Sequence, residues 1–294
     1  MAPRGIALLA VGVALVAASA RAQSEQVVVA RTVHASHDLP ANTVTTFAVA
    51  CPASYAAASA GISTPAPGTT VLAIAPVGPS GFRFRIGNPA TNGDQRVRVA
   101  VACRKVLAAG TESRFSLKLK PLTTAYLTVP ARKAASTSLA CPPGTVPVGG
   151  GVDLDPRRGK TVEAYRAGPG VSVRRQTATL RRFSFSLQSS ATQPKRVAVY
   201  GGCLTLAREA GAPRERLHVR ATTYRVLVHP GAQVVTRRCR PGWFSLAAGF
   251  SLRARATNAT GAAAVAGGGR WSLVSDAATD TFADVQLACG RVGP

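Results

Sequence analysis

Acidic residues are scarce in this chain of 294 residues: 12 aspartates and glutamates stand against 36 lysines and arginines, a formal charge of +24. Aromatic residues make up only 5 %, too few for the stacking platforms with which proteins hold single-stranded nucleic acid, so no specific nucleic-acid partner is expected. Helical periodicity is nearly missing, which argues against bundles and repeats of helices. There is no G-x-S-x-G elbow, no H-E-x-x-H and no C-x-x-C pair, so the commonest hydrolase and zinc frameworks are excluded. From these gaps the expectation is a protein with no catalytic residues, no metal and no cofactor.

What the chain does have is a cysteine followed ten residues later by a glycine, three times. The segments are CPASYAAASAGI from Cys51, CPPGTVPVGGGV from Cys141 and CRPGWFSLAAGF from Cys239, with small residues before Gly61, Gly151 and Gly249. Each is followed by an aromatic alternating segment (GFRFRIGN from Gly81, RFSFSLQS from Arg182, RWSLVSD from Arg270) and then by a β-rich run ending in Cys103, Cys203 or Cys289. Pro40, Pro130 and Pro230 precede the opening cysteines at nearly equal distances. A repeat spaced by about 90 to 100 residues is long enough for each unit to bury its own core.

Six cysteines allow 15 pairings. Only bridges inside each unit, Cys51 with Cys103, Cys141 with Cys203 and Cys239 with Cys289, give every unit the same staple, and each closes a loop worth roughly 3 to 4 kcal/mol in the chain-entropy model. Oxidised cysteines belong to an exported protein. The N-terminus agrees: Arg4, an apolar run from Ile6 to Ala18 and the small-residue site Ala20-Arg21-Ala22 read as a signal peptide over residues 1–22. Its removal takes Arg4 and Arg21 and leaves +22. No later apolar run approaches the roughly 20 residues of a bilayer span, so no membrane span is expected after signal removal and a secreted, extracytoplasmic protein follows.

Period-two alternation places strands of the first unit at 27–35, 44–50, 57–63, 70–76, 81–87 and 95–105, separated by Pro/Gly/Asn turns. The fold class is all-β: three tandem antiparallel β-sandwich units, immunoglobulin-like, over 27–107, 114–207 and 215–292, with linkers at 108–112 and 207–213. The rival is a single pseudo-threefold body of the β-prism kind, in which each repeat supplies one sheet. The pattern C-P-P-G-T-V-P-V-G-G-G-V at Cys141, with its aromatic strand and closing V-x-V-x-x-x-C, resembles a motif of exported repeat proteins of high-GC bacteria. The likeness covers nearly all of the mature chain but is sharpest in the second unit; Ser54 stands where the others have Gly144 and Gly242, and Ser59-Ala60 where the second has Gly149-Gly150. It implies an extracytoplasmic location and brings no active residues.

The charge has two accounts: GC-rich coding with solubility, or anion binding. In favour of the second, alternation puts Phe82, Phe84 and Ile86 on one face and Arg83 and Arg85 on the other, and separates Val97 and Val99 from Arg96 and Arg98. Paired as a hairpin, these strands would crowd four arginines on one face, which favours an anionic partner. Arg83, Arg85, Arg96 and Arg98 are therefore the candidate anion-binding residues, with Arg157-Arg158-Gly159-Lys160, Arg174-Arg175 and Arg181-Arg182 adding charge in the middle unit. Phe82, Phe84, Phe183, Phe185 and Trp271 read as core. His34 and His37, three apart on a strand, point to opposite faces and do not make a metal pair; His229 lies at a turn private to the third unit. Asp153-Leu154-Asp155 lacks the rest of a helix-loop-helix calcium site, and Asp276, Asp280 and Asp284 could form a loop calcium site or be solvated acids. Tyr55, Tyr126, Tyr165 and Trp243 are candidates for stacking on sugars. Two functions remain: a non-catalytic structural or adhesive β-repeat protein contacting anionic surface polymers, or a carbohydrate-active or other hydrolytic protein with its site in the loops between units.

Overall fold

A computed structural model describes residues 26–64, 69–89, 93–108, 115–122, 125–154, 170–211, 214–254, 256–265 and 267–294. The expected signal segment and cleavage site, Arg157-Arg158-Gly159-Lys160, Asp155, Tyr165, and most of the first and part of the second expected linker lie outside them. Among the described residues the chain is all strand and turn, with every pairing antiparallel. The first repeat forms β1 (Gln26–Leu39), β2 (Thr43–Ala50), β3 (Ala56–Thr64), β4 (Thr70–Val77), β5 (Gly81–Asn88) and β6 (Gln95–Ala108). Alternation and turn residues had located all six; the structure extends β1 by four residues to the Pro40 turn.

In the second repeat the opening strand is split into β7 (Phe115–Pro121) and β8 (Ala125–Val129), followed by β9 (Ala134–Ala140), β10 (Val146–Asp153), β11 (Val171–Ala178), β12 (Arg182–Ser189) and β13 (Lys195–Arg208). The third has β14 (Arg216–Val228), β15 (Gly231–Arg238), β16 (Phe244–Leu252), β17 (Thr257–Val265), β18 (Gly268–Ser275) and β19 (Thr281–Gly293).

Within the first repeat the orders are β1-β6-β3 and β2-β5-β4. Immunoglobulin sandwiches place their second, fifth and fourth strands in one sheet, their third and sixth in the other, and a disulfide between the second and sixth. Here Cys51 follows β2, Cys103 lies in β6, and the two are bonded. The departure is β1, which takes the outer edge beside β6 that a seventh strand would occupy. The same orders return as β7/β8-β13-β10 with β9-β12-β11, and as β14-β19-β16 with β15-β18-β17. Cys141–Cys203 and Cys239–Cys289 complete the set of staples expected from the spacing.

Sheet boundaries do not follow repeat boundaries. β4 of the first repeat pairs with β10 of the second through Asp153 and Ala73, and Leu154 N–H donates to Leu72 O at 2.9 Å. β11 of the second pairs with β16 of the third through Arg175 with Ser251 and Gln176 with Phe250. β17 of the third lies against β3 of the first, where Ser59 Oγ accepts from Ala264 N–H at 2.9 Å and donates to Ala264 O at 3.1 Å. The three repeats thus close a ring: the second shares one sheet with the first and another with the third, while the first and third meet through the edges of two separate three-stranded sheets, rather than each supplying one sheet of a prism. Immunoglobulin-like strand order and a joined body coexist, and the repeats are not sandwiches strung on linkers.

The glycine of the Cys-x9-Gly motif makes those joints. A Cβ on Gly151 would stand 1.7 Å from Ile74 O, on Gly249 2.4 Å from Gln176 O, and on Gly61 2.7 Å from Ala263 Cβ. Each glycine therefore lets the neighbouring repeat's backbone approach. Upstream of each, the pairing with the sixth strand slips by a bulge, between Ala57 and Ser59, Val148 and Gly151, and Ser245 and Ala247. A bulge bends the strand it sits in.

Phe82, Phe84, Phe183, Phe185 and Trp271 are all buried, as alternation requires. One core runs through the first two repeats and takes in Phe244 and Leu246 of the third. A second gathers around Trp271, Leu273 and Val285. The Trp271 indole N–H donates to Gly249 O at 2.7 Å, satisfying the polar end of the largest buried side chain.

Candidate functional site

The hairpin assumed for the four arginines does not form. β5 lies between β2 and β4, whereas β6 lies between β1 and β3 in the other sheet. Connected strands commonly pair, but the β5–β6 link crosses the sandwich. Arg83 and Arg85 therefore share no face with Arg96 and Arg98, and like-charge crowding between the two pairs is not present.

Arg85 has a structural setting. The paired row Arg85–Ala73–Asp153 crosses β5, β4 and β10, and the small Ala73 lets the guanidinium reach the carboxylate. Arg85 Nη1 donates to Asp153 Oδ1 at 3.0 Å and Oδ2 at 3.3 Å, with side chains 16 % and 6 % exposed. An ion pair this buried ties the first repeat to the second, and breaking it leaves a charge without its partner. Arg174 acts similarly across the next joint, donating to Thr257 O at 2.8 Å and also to Ala254 O.

Arg96 and Arg98 are exposed on β6, alternating with buried Val97 and Val99. Arg96 Nε lies 3.5 Å from the open Asp38 carboxylate. The register sets His34 opposite Ala100, one step along the same outer face from Ser36 and Arg98. Burial, followed by the positive fields of Arg98 and Arg270, holds His34 below its ordinary value of 6.5. His37 faces the other way and stacks on Phe47 with ring centroids 3.7 Å apart. The opposite-face reading of this pair is thus realised.

Other candidates separate. Asp284 accepts from Arg253 at 2.8 Å and lies 3.9 Å from Arg225; Asp280 Oδ1 is 2.9 Å from His229 Nδ1; Asp276 N–H donates to Ala256 O. The three carboxylates do not converge, and among the described residues no group of three or more His, Cys, Asp or Glu side chains is placed to hold a metal. Tyr126 is 57 % exposed but covered by Arg196 at 4.1 Å, and Arg291 lies 5.6 Å from the Trp243 ring. Tyr55 packs on the core. Arg181 O accepts from Cys141 N–H in the staple turn.

Where the three joints meet there is a pit of about 100 Å³, lined at matching positions by Val71, Val173 and Ala259 and by Ile74, Gln176 and Ala262. Gln176 is the polar member, and its amide already donates to Gly150 O at 2.8 Å. Ligand sites usually enclose roughly 300 to 1,000 Å³, so the pit is a feature of packing. Sequence reasoning missed Arg104, fully buried where the second and third repeats have Leu204 and Gly290 after the closing cysteine. A charge at a position filled elsewhere by apolar or small residues was the available signal. Burial lowers its pKa to about 10, which leaves it cationic at neutral pH.

Among the described residues no helix is long and apolar enough to cross a membrane. In comparisons with known proteins, no family model matches the chain and no curated sequence is similar to it.

Proposed function

We propose that this is an exported, non-catalytic β-repeat protein with a structural or adhesive role, whose basic faces contact anionic surface polymers. The observation that carries the reading is exposed charge on strands of all three repeats: Arg96 and Arg98 on β6, Lys118 and Lys120 on β7, Arg220 and Arg225 on β14. Strands hold these cations at fixed spacing against a stapled core, so a flexible polyanion meets a prepared surface and gains by releasing its counterions. Three disulfides support export, since such bonds persist in oxidising compartments. Arg85 leaves the set of contact residues because it serves the joint; Arg83, Arg96 and Arg98 stay.

Retention of the mature protein on dextran sulfate tests the reading. Elution should need high salt, and replacing Arg96, Arg98, Lys118 and Lys120 by Ser should lower both the eluting salt and the slope of log affinity against log salt. Absent or salt-insensitive retention contradicts it.

The hydrolytic alternative has one geometry in its support, the His229–Asp280 pair at 2.9 Å in the third repeat. A carboxylate on one ring nitrogen leaves the other as a base. Turnover of a polysaccharide or ester substrate lost on His229→Gln would favour that alternative.

A further inference from the structure

The third joint of the ring is fastened differently from the other two. At β4–β10 and β11–β16, adjacent backbones pair in register. Among the described residues no ladder pairing joins β3 to β17, which end separate three-stranded sheets. Side chains take its place. The Ser59 hydroxyl bonds both the N–H and the C=O of Ala264. Beside it, Arg104 of β6 reaches out of the first repeat: Nε donates to Ser245 O at 3.1 Å, and Nη2 to Ser245 Oγ at 2.6 Å and Val265 O at 3.1 Å. Nη1 donates at home, to Cys103 O at 2.9 Å.

These fasteners respond to separation differently from a ladder within a continuous sheet. A buried guanidinium bonded to neutral oxygens is held against a large desolvation cost, and water restores that solvation once the joint parts. Opening here breaks the two hydrogen bonds of Ser59 and three of Arg104, none of them backbone to backbone, whereas opening either other joint breaks ladder pairs of a six- or seven-stranded sheet together with the bonds of Arg85 or Arg174. Local opening is expected where side chains rather than a continuous ladder hold the edges together.

We propose that the ring opens between the first and third repeats, with Arg104 as the latch, and that the parted edges of β3 and β17 are taken by the same edges of a second copy of this chain. An exposed strand edge seeks another strand, and the strand already shaped for β3 is β17: Gly61 clears space for Ala263 whichever chain supplies it. Because β3 and β17 are different surfaces, the exchange is heterologous; it yields a closed dimer of six repeats or a head-to-tail array.

Hydrogen exchange on the intact, disulfide-bonded wild type is the first test. The Ala264 amide, which bonds across this joint to Ser59 Oγ, should exchange at least tenfold faster than the Leu154 amide, which bonds across the β4–β10 joint to Leu72 O; equal or slower exchange overturns the proposal. The second is Arg104→Met, which keeps volume and removes the donors. It should speed exchange at 257–265 about tenfold further and shift light-scattering mass toward dimers and higher species. A folded Arg104→Met protein with unchanged exchange and mass contradicts the latch. The wild-type ranking decides the weak joint whether or not the variant folds.

Discussion

Ser54 holds a left-handed backbone, φ 66°, at the point where the other repeats place Gly144 (φ 77°) and Gly242 (φ 76°). All three follow the opening cysteine by three residues in a turn closed by Tyr55 N–H to Pro52 O, Thr145 N–H to Pro142 O and Trp243 N–H to Arg240 O. A third turn residue with positive φ favours glycine. Ser54→Gly should therefore stabilise the protein by about 0.5 to 1 kcal/mol, after offsetting glycine's entropy in the unfolded chain; urea denaturation measures it, and a loss of stability would contradict the strain. His34 gives a pH effect of definite sign. Its folded pKa is depressed, so the unfolded state binds the proton more readily, and stability falls as pH drops through 6.5 toward the lower folded value. NMR titration should place His34 below 6.5, and Arg98→Ser should move it upward. At this scale the sequence revealed its departures from the repeat, such as Ser54, more readily than their consequences. Arg104 likewise stood out as a charge, but its role was unreadable because the oxygens it bonds across the joint, on Ser245 and Val265, are over 140 residues away.

Strands and staples were legible because their causes are local. Alternation of Phe82, Phe84 and Ile86 with arginines marks β5, and the turn residues mark its ends. Cys51 and Cys103 were pairable because a repeat constrains all units at once. Which strands neighbour one another across the body was hidden, since β4–β10 and β11–β16 join separate repeats. The β5–β6 hairpin failed for the same reason: sequential strands need not share a sheet. The small residues of the motif permit a bulge and a close backbone approach, and each motif segment contains both. Gly151→Ala should cost about 3 kcal/mol or more, because its Cβ meets a backbone oxygen that the sheet holds in place. Gly61→Ala should cost less, about 1 to 2 kcal/mol, because its Cβ would stand 2.7 Å from Ala263 Cβ rather than 1.7 Å from a backbone oxygen, at a joint with no ladder pairing among the described residues. Chemical denaturation of the two variants gives the ranking, and the reverse order would contradict these roles. Arg85→Ser should lose about 3 kcal/mol by stranding the buried Asp153, while leaving the salt slope on dextran sulfate unchanged.

Taken whole, the molecule is a strongly basic body whose repeats are stapled singly by disulfides and jointly by shared sheets. Net charge was visible from composition, but its division between exposed cations such as Arg96 and Lys118 and joint-building ones such as Arg85, Arg104 and Arg174 needed the structure. The proposed polymer contact draws on the exposed set alone. Shared ladders and a core running between repeats also set the cooperativity of unfolding. Independent sandwiches would melt separately, whereas joined ones should melt together. Scanning calorimetry of the oxidised protein lacking residues 1–22 measures this directly. The joined body predicts one transition with equal calorimetric and van't Hoff enthalpies; resolved transitions, or a calorimetric enthalpy about three times the van't Hoff value, would show that the Cys-x9-Gly glycines do not bind the repeats into one unit.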